Sequence, residues 1–379
     1  MSRRWGLVLA VVGVLAVWAM PVSAGDGGTE LPKGVRDLEV GALWYLSYQY
    51  GEEGVVEDDV YRRVEYNEFK AKRGYINIKK EINSWLEARI TPDVHMDSSG
   101  DMKVRLKYIY AKFKCPSEGF IYKPWVEFGQ AHMPWLDFEE HINYYRLQDT
   151  MFAERNGNFN SADFGATLGA LLGGEMGEDY QKRVNNKYPG RYGSFAVGVY
   201  NGGGYHAAEN NENKALEGRL TVRPAPDYVP GLQVSYFGIY GEGNTAPTDE
   251  MGPPDWRFNL GQVTYEHERV TVTGTYAKAK GNQKGTFVDE SGEALCHGGY
   301  SVFGELKLPE LKSSVIGRWD HYDPNDDIDD DENDRVIVGY AYHLPMHSMI
   351  LVDVEHLSFS DDDMESDWRF QTTVQIHYP

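Results

Sequence analysis

Between Trp368 and Tyr378 the chain alternates. Trp368, Phe370, Val374, Ile376 and Tyr378 fall on one side, and Arg369, Gln371, Thr373, Gln375 and His377 on the other. A period of two marks a strand that is apolar on one face and polar on the other. The same period recurs along the chain in segments of about ten residues, the length that crosses a bilayer as a tilted strand. They fall at 42–50, in a pair between Glu68 and Asp93 divided near Glu81-Ile82-Asn83, at 102–113, at 122–130 and from Ala162 onward. Others lie at 191–201, 214–223, 232–241, 256–267, 270–280, 300–308, 313–321, 334–342, 349–357 and 368–378, sixteen in all.

Short connections (81–83, 116–119, 224–231, 268–269, 309–312 and 343–348) alternate with long polar ones such as 51–67 and 131–161; the segment 173–190 is the exception. An even strand count with short turns at one end and long loops at the other predicts an all-β transmembrane antiparallel barrel, its short turns periplasmic and its long loops extracellular. Closure also removes the exposed edges of an open sheet. The faces agree. Leu86-Ala88-Ile90, Leu216-Leu220-Val222, Val336-Val338-Tyr340-Tyr342 and Ile350-Val352-Val354 are apolar, while Glu87, Arg89, Glu217, Arg219, Arg223, Arg335, Asp353 and Glu355 face the other way. Arg or Lys against hydrocarbon costs about 2–4 kcal/mol at the midplane, so the charged face looks onto water. Trp44, Tyr48, Trp256 and Tyr342 stand where an interfacial girdle is expected.

The amino end sets the compartment. Arg3 and Arg4 precede an apolar run from Trp5 to Met20, and Val22-Ser23-Ala24 supplies a small-residue cleavage site. Residues 1–24 therefore read as a secretory signal peptide, 25–41 as an N-terminal periplasmic segment and 42–379 as the barrel. After Ala24 no stretch approaches the roughly 18 unbroken apolar residues of a helical span. Abundant Gly (41) and Tyr (26) and a mean hydropathy of -0.53 fit a barrel whose apolar band is hidden by alternation.

The formal charge of -21, or -23 without Arg3 and Arg4, excludes nucleic acid partners, which need basic surfaces. No G-x-S-x-G, H-E-x-x-H or C-x-x-C motif is present, the histidines lack metal spacing, and no cofactor is expected. A membrane-embedded hydrolase would need Ser and His on adjacent strands near the rim. Cys115 and Cys296 fall at opposite ends of the expected barrel, whose wall of about 25 Å far exceeds the roughly 7 Å between Cα atoms that a disulfide tolerates.

The stretches FKAKRGYINIKKEINSWLEARITPDV, FGQAHMPWLDFEE with NSADFG, and NGGGYHAAENNENKALEGRLTVRPAP resemble the phosphate-selective porin O and P family of bacterial outer membranes, over nearly the whole chain after residue 24. The resemblance implies a sixteen-stranded, trimeric barrel that passes small anionic solutes, with Lys and Arg lining its constriction. It also implies a third loop, 131–161, that folds inward. The terminal Pro379, where barrel chains end on Phe, and the net acidity depart from the family.

Candidate pore residues follow. The third loop carries Asp137, Glu139, Glu140, Arg146, Asp149, Glu154 and Arg155, with Trp135, Phe138, Tyr144, Tyr145 and Phe152 to pack it against the wall. The alternative is an external lid or subunit-contact loop. The polar strand faces supply Arg73, Arg89, Lys103, Arg105, Lys107, Arg219, Arg223, Arg257, Lys307, Arg318, Arg335 and Arg369 against Glu87, Glu127, Glu217, Glu305, Asp320, Asp353 and Glu355. Lys103, Arg105 and Lys107 are the densest group. They form either an anion-attracting ladder or cross-strand ion pairs with the wall carboxylates.

Acid gathers in the long loops, at 323–334, 360–367 and Glu57-Asp58-Asp59. Asp323, Asp327 and Asp329 are weak candidates for a divalent cation bridging lipopolysaccharide, although Ile328 stands where an EF-hand loop needs Gly. The function expected is passive diffusion of small hydrophilic solutes through a homotrimer embedded in outer-membrane lipid and lipopolysaccharide. Two alternatives are a sheath around a periplasmic multihaem cytochrome, which needs a clear lumen, and a surface receptor or adhesin with a plugged one.

Overall fold

The computed structural model describes residues 38–378 apart from 58–59, 98, 118, 249–250 and 362–363. The expected signal peptide, Asp58, Asp59 and Pro379 lie outside the described residues. Sixteen strands follow in order: β1 (Leu38–Glu57), β2 (Val60–Asn83), β3 (Leu86–Met96), β4 (Met102–Lys114), β5 (Ile121–His132), β6 (Ala162–Leu172), β7 (Gly193–Tyr200) and β8 (Ala215–Val222). Then come β9 (Leu232–Glu242), β10 (Asp255–Glu266), β11 (Val270–Lys280), β12 (Cys296–Leu308), β13 (Ser313–Asp323), β14 (Asn333–His343), β15 (Met349–Phe359) and β16 (Asp367–Tyr378). Short helices α1 (Leu136–Glu140) and α2 (Phe152–Arg155) lie between β5 and β6, and α3 (Glu178–Arg183) between β6 and β7.

Each strand pairs antiparallel with its sequence neighbour, and β16 returns to β1 to close the barrel. At that seam Tyr45, Ser47 and Gln49 oppose Gln375, Thr373 and Gln371. Ser47 Oγ lies 2.8 Å from Thr373 Oγ1, and Gln49 Nε2 donates to Gln371 Oε1 at 2.9 Å. Trp44, Leu46 and Tyr50 of the opposite face meet Ile376, Val374 and Phe370. The alternation of the last strand is therefore the alternation of the wall: polar inward, apolar outward. Val338 against Val354 and Tyr340 against Val352 continue the outer band, all of them exposed.

Three expectations are corrected. Residues 51–67 are not a loop. Within them β1 runs on to Glu57 and β2 begins at Val60, two tall strand ends, and β1 already starts at Leu38, inside the segment expected to precede the barrel. Residues 53–57 continue past the β1–β16 register, which ends at the Glu52–Trp368 pair, and the β2–β3 register begins only at Gly74. Tyr66 and Tyr61 lie over Gly51 and Gly54, where a Cβ would collide with their rings. Arg63 Nη1 reaches Asp367 Oδ1 at 2.6 Å. Both faces of these strand ends carry charge, so they show no apolar period in sequence.

Second, Trp256 is not at an interface. It is fully buried and faces the lumen with Phe258 and Leu260, which turns Arg257 outward beside Asp255 at 3.1 Å. Third, Lys107 is the unpaired residue where β4 slips against β3, since Thr91 pairs Tyr108 and Pro92 pairs Leu106. One extra residue in a strand switches which side chains face inward. Lys107 and Tyr108 are both buried, and from there Tyr108, Tyr110 and Lys112 form the inner face.

Candidate functional site

Seven of the even connections lie at one end of the barrel, and the loops at 133–161, 201–214, 243–254, 281–295, 324–332 and 360–366 lie at the other. The first will be called the short-turn end and the second the long-loop end. Loop three (133–161) turns back from the long-loop end into the barrel. Its apolar side chains Met133, Trp135, Leu136, Phe138, Ile142, Phe152 and Phe159 form one buried cluster with Phe237, Ile239, Trp256, Phe258 and Leu260 of the inner wall. The Trp135 ring stacks 5.7 Å from Phe237, and Phe159 meets Phe258 edge-on at 5.2 Å. Burying each such side chain is worth about 1.5–3 kcal/mol, enough to hold a loop that lacks a regular backbone ladder. Tyr145 and Leu147 pack farther round, against Phe303, Ile316 and Leu351.

Ion pairs seat the loop's far end on β2 and β13–β16. Asp149 lies 2.9 Å from Arg369 and 3.7 Å from Lys72. Arg155, Arg335 and Arg369 converge on Glu355. Arg318 donates to the Thr150 carbonyl at 2.9 Å. Loop three thus spans the lumen from β8 round to β2, lying on an apolar wall at β9–β10 and on a charged one at β13–β16.

The inner faces of β3–β5, with Arg73 and Tyr75 of β2, remain beside it, and there cations meet aromatic rings. Arg73 lies 4.8 Å from the Tyr75 ring, Arg89 4.6 Å from Tyr108, Arg105 4.8 Å from Tyr205 and Lys107 4.7 Å from Tyr75. Arg89 also donates to Asn77 Oδ1 at 2.7 Å, and Lys107 to Tyr75 Oη at 2.7 Å. Among the described residues Arg73, Arg89 and Lys107 make no ion pair with a carboxylate. Arg105 does, with Asp93 at 3.0 Å, and Lys103 at the rim pairs with Asp97. Two members of the expected ladder are therefore neutralised, Arg105 across strands and Lys103 by the β3–β4 turn, and of the three only Lys107 is left without a counter-charge among the described residues.

The facing side of loop three is acidic. Glu140 and Glu154 flank Arg146, and Asp137 lies 3.5 Å from His132, which lies 3.6 Å from Glu127 and 3.2 Å from Arg89. Glu127 pairs with Lys112 at 3.1 Å. Arg105, Glu140, Asp137, His141 and Lys112 keep part of their side chains open to solvent, whereas Lys107 is only 2% exposed.

Other candidates have other roles. Glu139 points away from this passage; it is buried and accepts a hydrogen bond from Trp135 Nε1 at 2.8 Å, and burial pushes its carboxyl up to about 7. Arg155 faces the β15–β16 wall. Arg219 donates to the Pro134 carbonyl at 3.0 Å under the Phe138 ring, and Arg223 donates to the Pro230 carbonyl at 2.7 Å. Arg219 anchors the buried start of loop three and Arg223 the exposed β8–β9 turn, and neither is a free charge of the passage. Asp323, Asp327 and Asp329 belong to no metal-sized cluster among the described residues. Cys115 and Cys296 are free thiols at opposite ends. Missed by the sequence reading were Lys72, Tyr75, Tyr108, Tyr110, Lys112 and His132, most of them placed by the bulge or by the tall β2.

Ser314 Oγ lies 2.9 Å from His343 Nε2 on the neighbouring strand. Its hydroxyl also donates to Glu305 Oε1 at 2.8 Å, and the direction of its bond to the imidazole follows the His343 tautomer.

A sixteen-stranded closed barrel with an inward-folded third loop defines the porin class of fold. Solved structures share it. The anion-selective porin from Comamonas acidovorans aligns with a TM-score of 0.58 at 11% identity, covering 90% of this chain and 99% of that one. OmpF of Salmonella typhi, in complex with daunomycin, aligns at 0.58 with 10% identity over 90% and 97%. The outer membrane channel DcaP of Acinetobacter baumannii aligns at 0.55 with 10% identity over 90% and 97%. Identities this low establish the fold alone. No family model matches the sequence, and no curated protein does.

Proposed function

We propose that this chain is an outer-membrane porin: a homotrimeric, passive channel for small hydrophilic solutes that favours anions, phosphate among them. It would be exported by residues 1–24 and surrounded by lipid and lipopolysaccharide. One observation carries the reading. Loop three crosses the lumen and leaves beside it the β2–β4 wall, where Arg73, Arg89 and Lys107 have aromatic and neutral partners but, among the described residues, no carboxylate in ion-pair contact. Selectivity in a pore follows from its width and from the charges lining it. The resemblance to the phosphate-selective family supports the anion preference, and the trimer form of a matched porin-fold protein, OmpT of Vibrio cholerae, supports the assembly. A loop seated across the lumen also favours a channel over a cytochrome sheath, which needs that space clear.

The acidic loops at the long-loop end oppose anion entry, by a repulsion that reaches about 10 Å at 0.1 M salt and about 3 Å at 1 M. The test is the single-channel reversal potential under KCl gradients at low and high mean salt. Anion preference should strengthen at high salt, and Arg73→Gln, Arg89→Gln and Lys107→Gln together should abolish it. A preference untouched by those substitutions removes the anion reading, and wild-type protein without any conductance removes the porin reading itself.

A further inference from the structure

The connection between β6 and β7 breaks the rule of its end. All other connections at the short-turn end are brief, yet this one runs from Gly173 to Tyr192 and contains α3. Its stem is closed by the antiparallel bridge Glu175–Gly190 and by Met176 N–H donating to the Pro189 carbonyl at 2.7 Å. Its tip reaches inward and meets loop three, which arrives from the opposite end. Tyr188 Oη donates to Asp137 Oδ2 at 2.5 Å, and Asn185 Nδ2 to the His141 carbonyl at 2.8 Å. Asn185, only 5% exposed, also donates to Glu266 at 2.8 Å, and Tyr180 Oη accepts from Arg223 at 3.0 Å. The Tyr188 ring lies 4.9 Å from the Arg219 guanidinium.

Tyr188 holds a φ of +48°, a left-handed conformation that costs a non-glycine residue about 1–2 kcal/mol. Backbone held in that region marks a position over-determined by its surroundings. Here the surroundings are loop three.

We propose that the β6–β7 connection is a second constriction of the channel, latched to loop three through Tyr188 and Asn185, and that it limits the size of solute admitted from the short-turn mouth. The proposal rests on the chain being a conducting pore. Asp137, the acceptor of Tyr188, is one of the partly exposed residues of the passage, so the latch sits beside the solute path. The exposed Lys187 next to it adds a cation at the inner mouth, in keeping with an anion path.

The test uses full-length protein in planar bilayers with neutral polyethylene glycols of graded size added to one side. Orientation is read in a Cys296→Ser background from the side on which a membrane-impermeant maleimide reaches the exposed Cys115. Two variants are compared: residues 178–187 replaced by Gly-Gly, and Asn185→Ala with Tyr188→Phe, which keeps the length and removes the latch. The expected result is a conductance raised about two-fold and a larger polymer cutoff from the short-turn mouth alone. A folded variant with its cutoff from that mouth unchanged overturns the second constriction and leaves the connection a strut. Wild-type protein that does not conduct would instead fail the porin reading.

Discussion

Lys107 occupies the slip between β3 and β4, so the run Lys103, Arg105, Lys107 does not continue as a face; Tyr108, Tyr110 and Lys112 take it over. Period-two reading assumes an unbroken pleat, and a single unpaired residue ends that assumption without any mark in composition. Trp256 and Arg257 show a second limit. Where the wall receives loop three, the inner face is as apolar as the outer one, and hydrophobicity alone cannot say which side is lipid. Glu139 yields a prediction at this scale. Its carboxyl, about 7 against an ordinary 4.5, holds its proton more tightly when the loop is seated. The stability it contributes is therefore full below about 4.5 and is lost as pH rises through 7. The protection factors of residues 133–161, which divide out the base catalysis of exchange, should fall between pH 5 and pH 8, and Glu139→Gln should flatten that dependence. Protection that is constant or rises with pH would contradict the assignment.

At the scale of elements, loop three is held by a hydrophobic seat on one side and ion pairs on the other. Phe237→Ala removes the ring on which Trp135 and Phe159 rest and should loosen the seat by about 3–5 kcal/mol, the usual cost of a buried Phe. The expected readout is faster exchange confined to residues 133–161, with the barrel strands unchanged and current noise increased. Loss of protection throughout the barrel would show that the loop and the wall do not separate as units. The loop's aromatic residues were legible in the sequence, and so was its length. Its partners were not, because Phe237, Phe258 and Leu260 belong to strands far along the chain. The tall ends of β1 and β2 were hidden for the opposite reason: water on both faces leaves no hydrophobic period to read.

For the whole molecule, the outward band decides whether the solvent outside is lipid. Val338 stands at the middle of β14 and is 57% exposed. Val338→Arg should cost about 2–4 kcal/mol in lipid vesicles, as Arg does at a bilayer midplane. The same substitution at a water-facing surface position would be nearly silent. Equilibrium unfolding in vesicles measures it, and a change near zero would place this band outside the hydrocarbon.

The sequence by itself determined the strands, their number, the sidedness of most of them and the alternation of connection lengths. All of these follow from local periodicity and from two solvents that differ in polarity. It also marked 131–161 and 173–190 as the segments that break the pattern. Only the tertiary structure decided where those segments go, which cations keep a free charge and which are neutralised across strands. Those outcomes depend on contacts across strands and between loops, up to 220 positions apart for Asp149 and Arg369, and on one slipped register. Neither leaves a trace in local spacing.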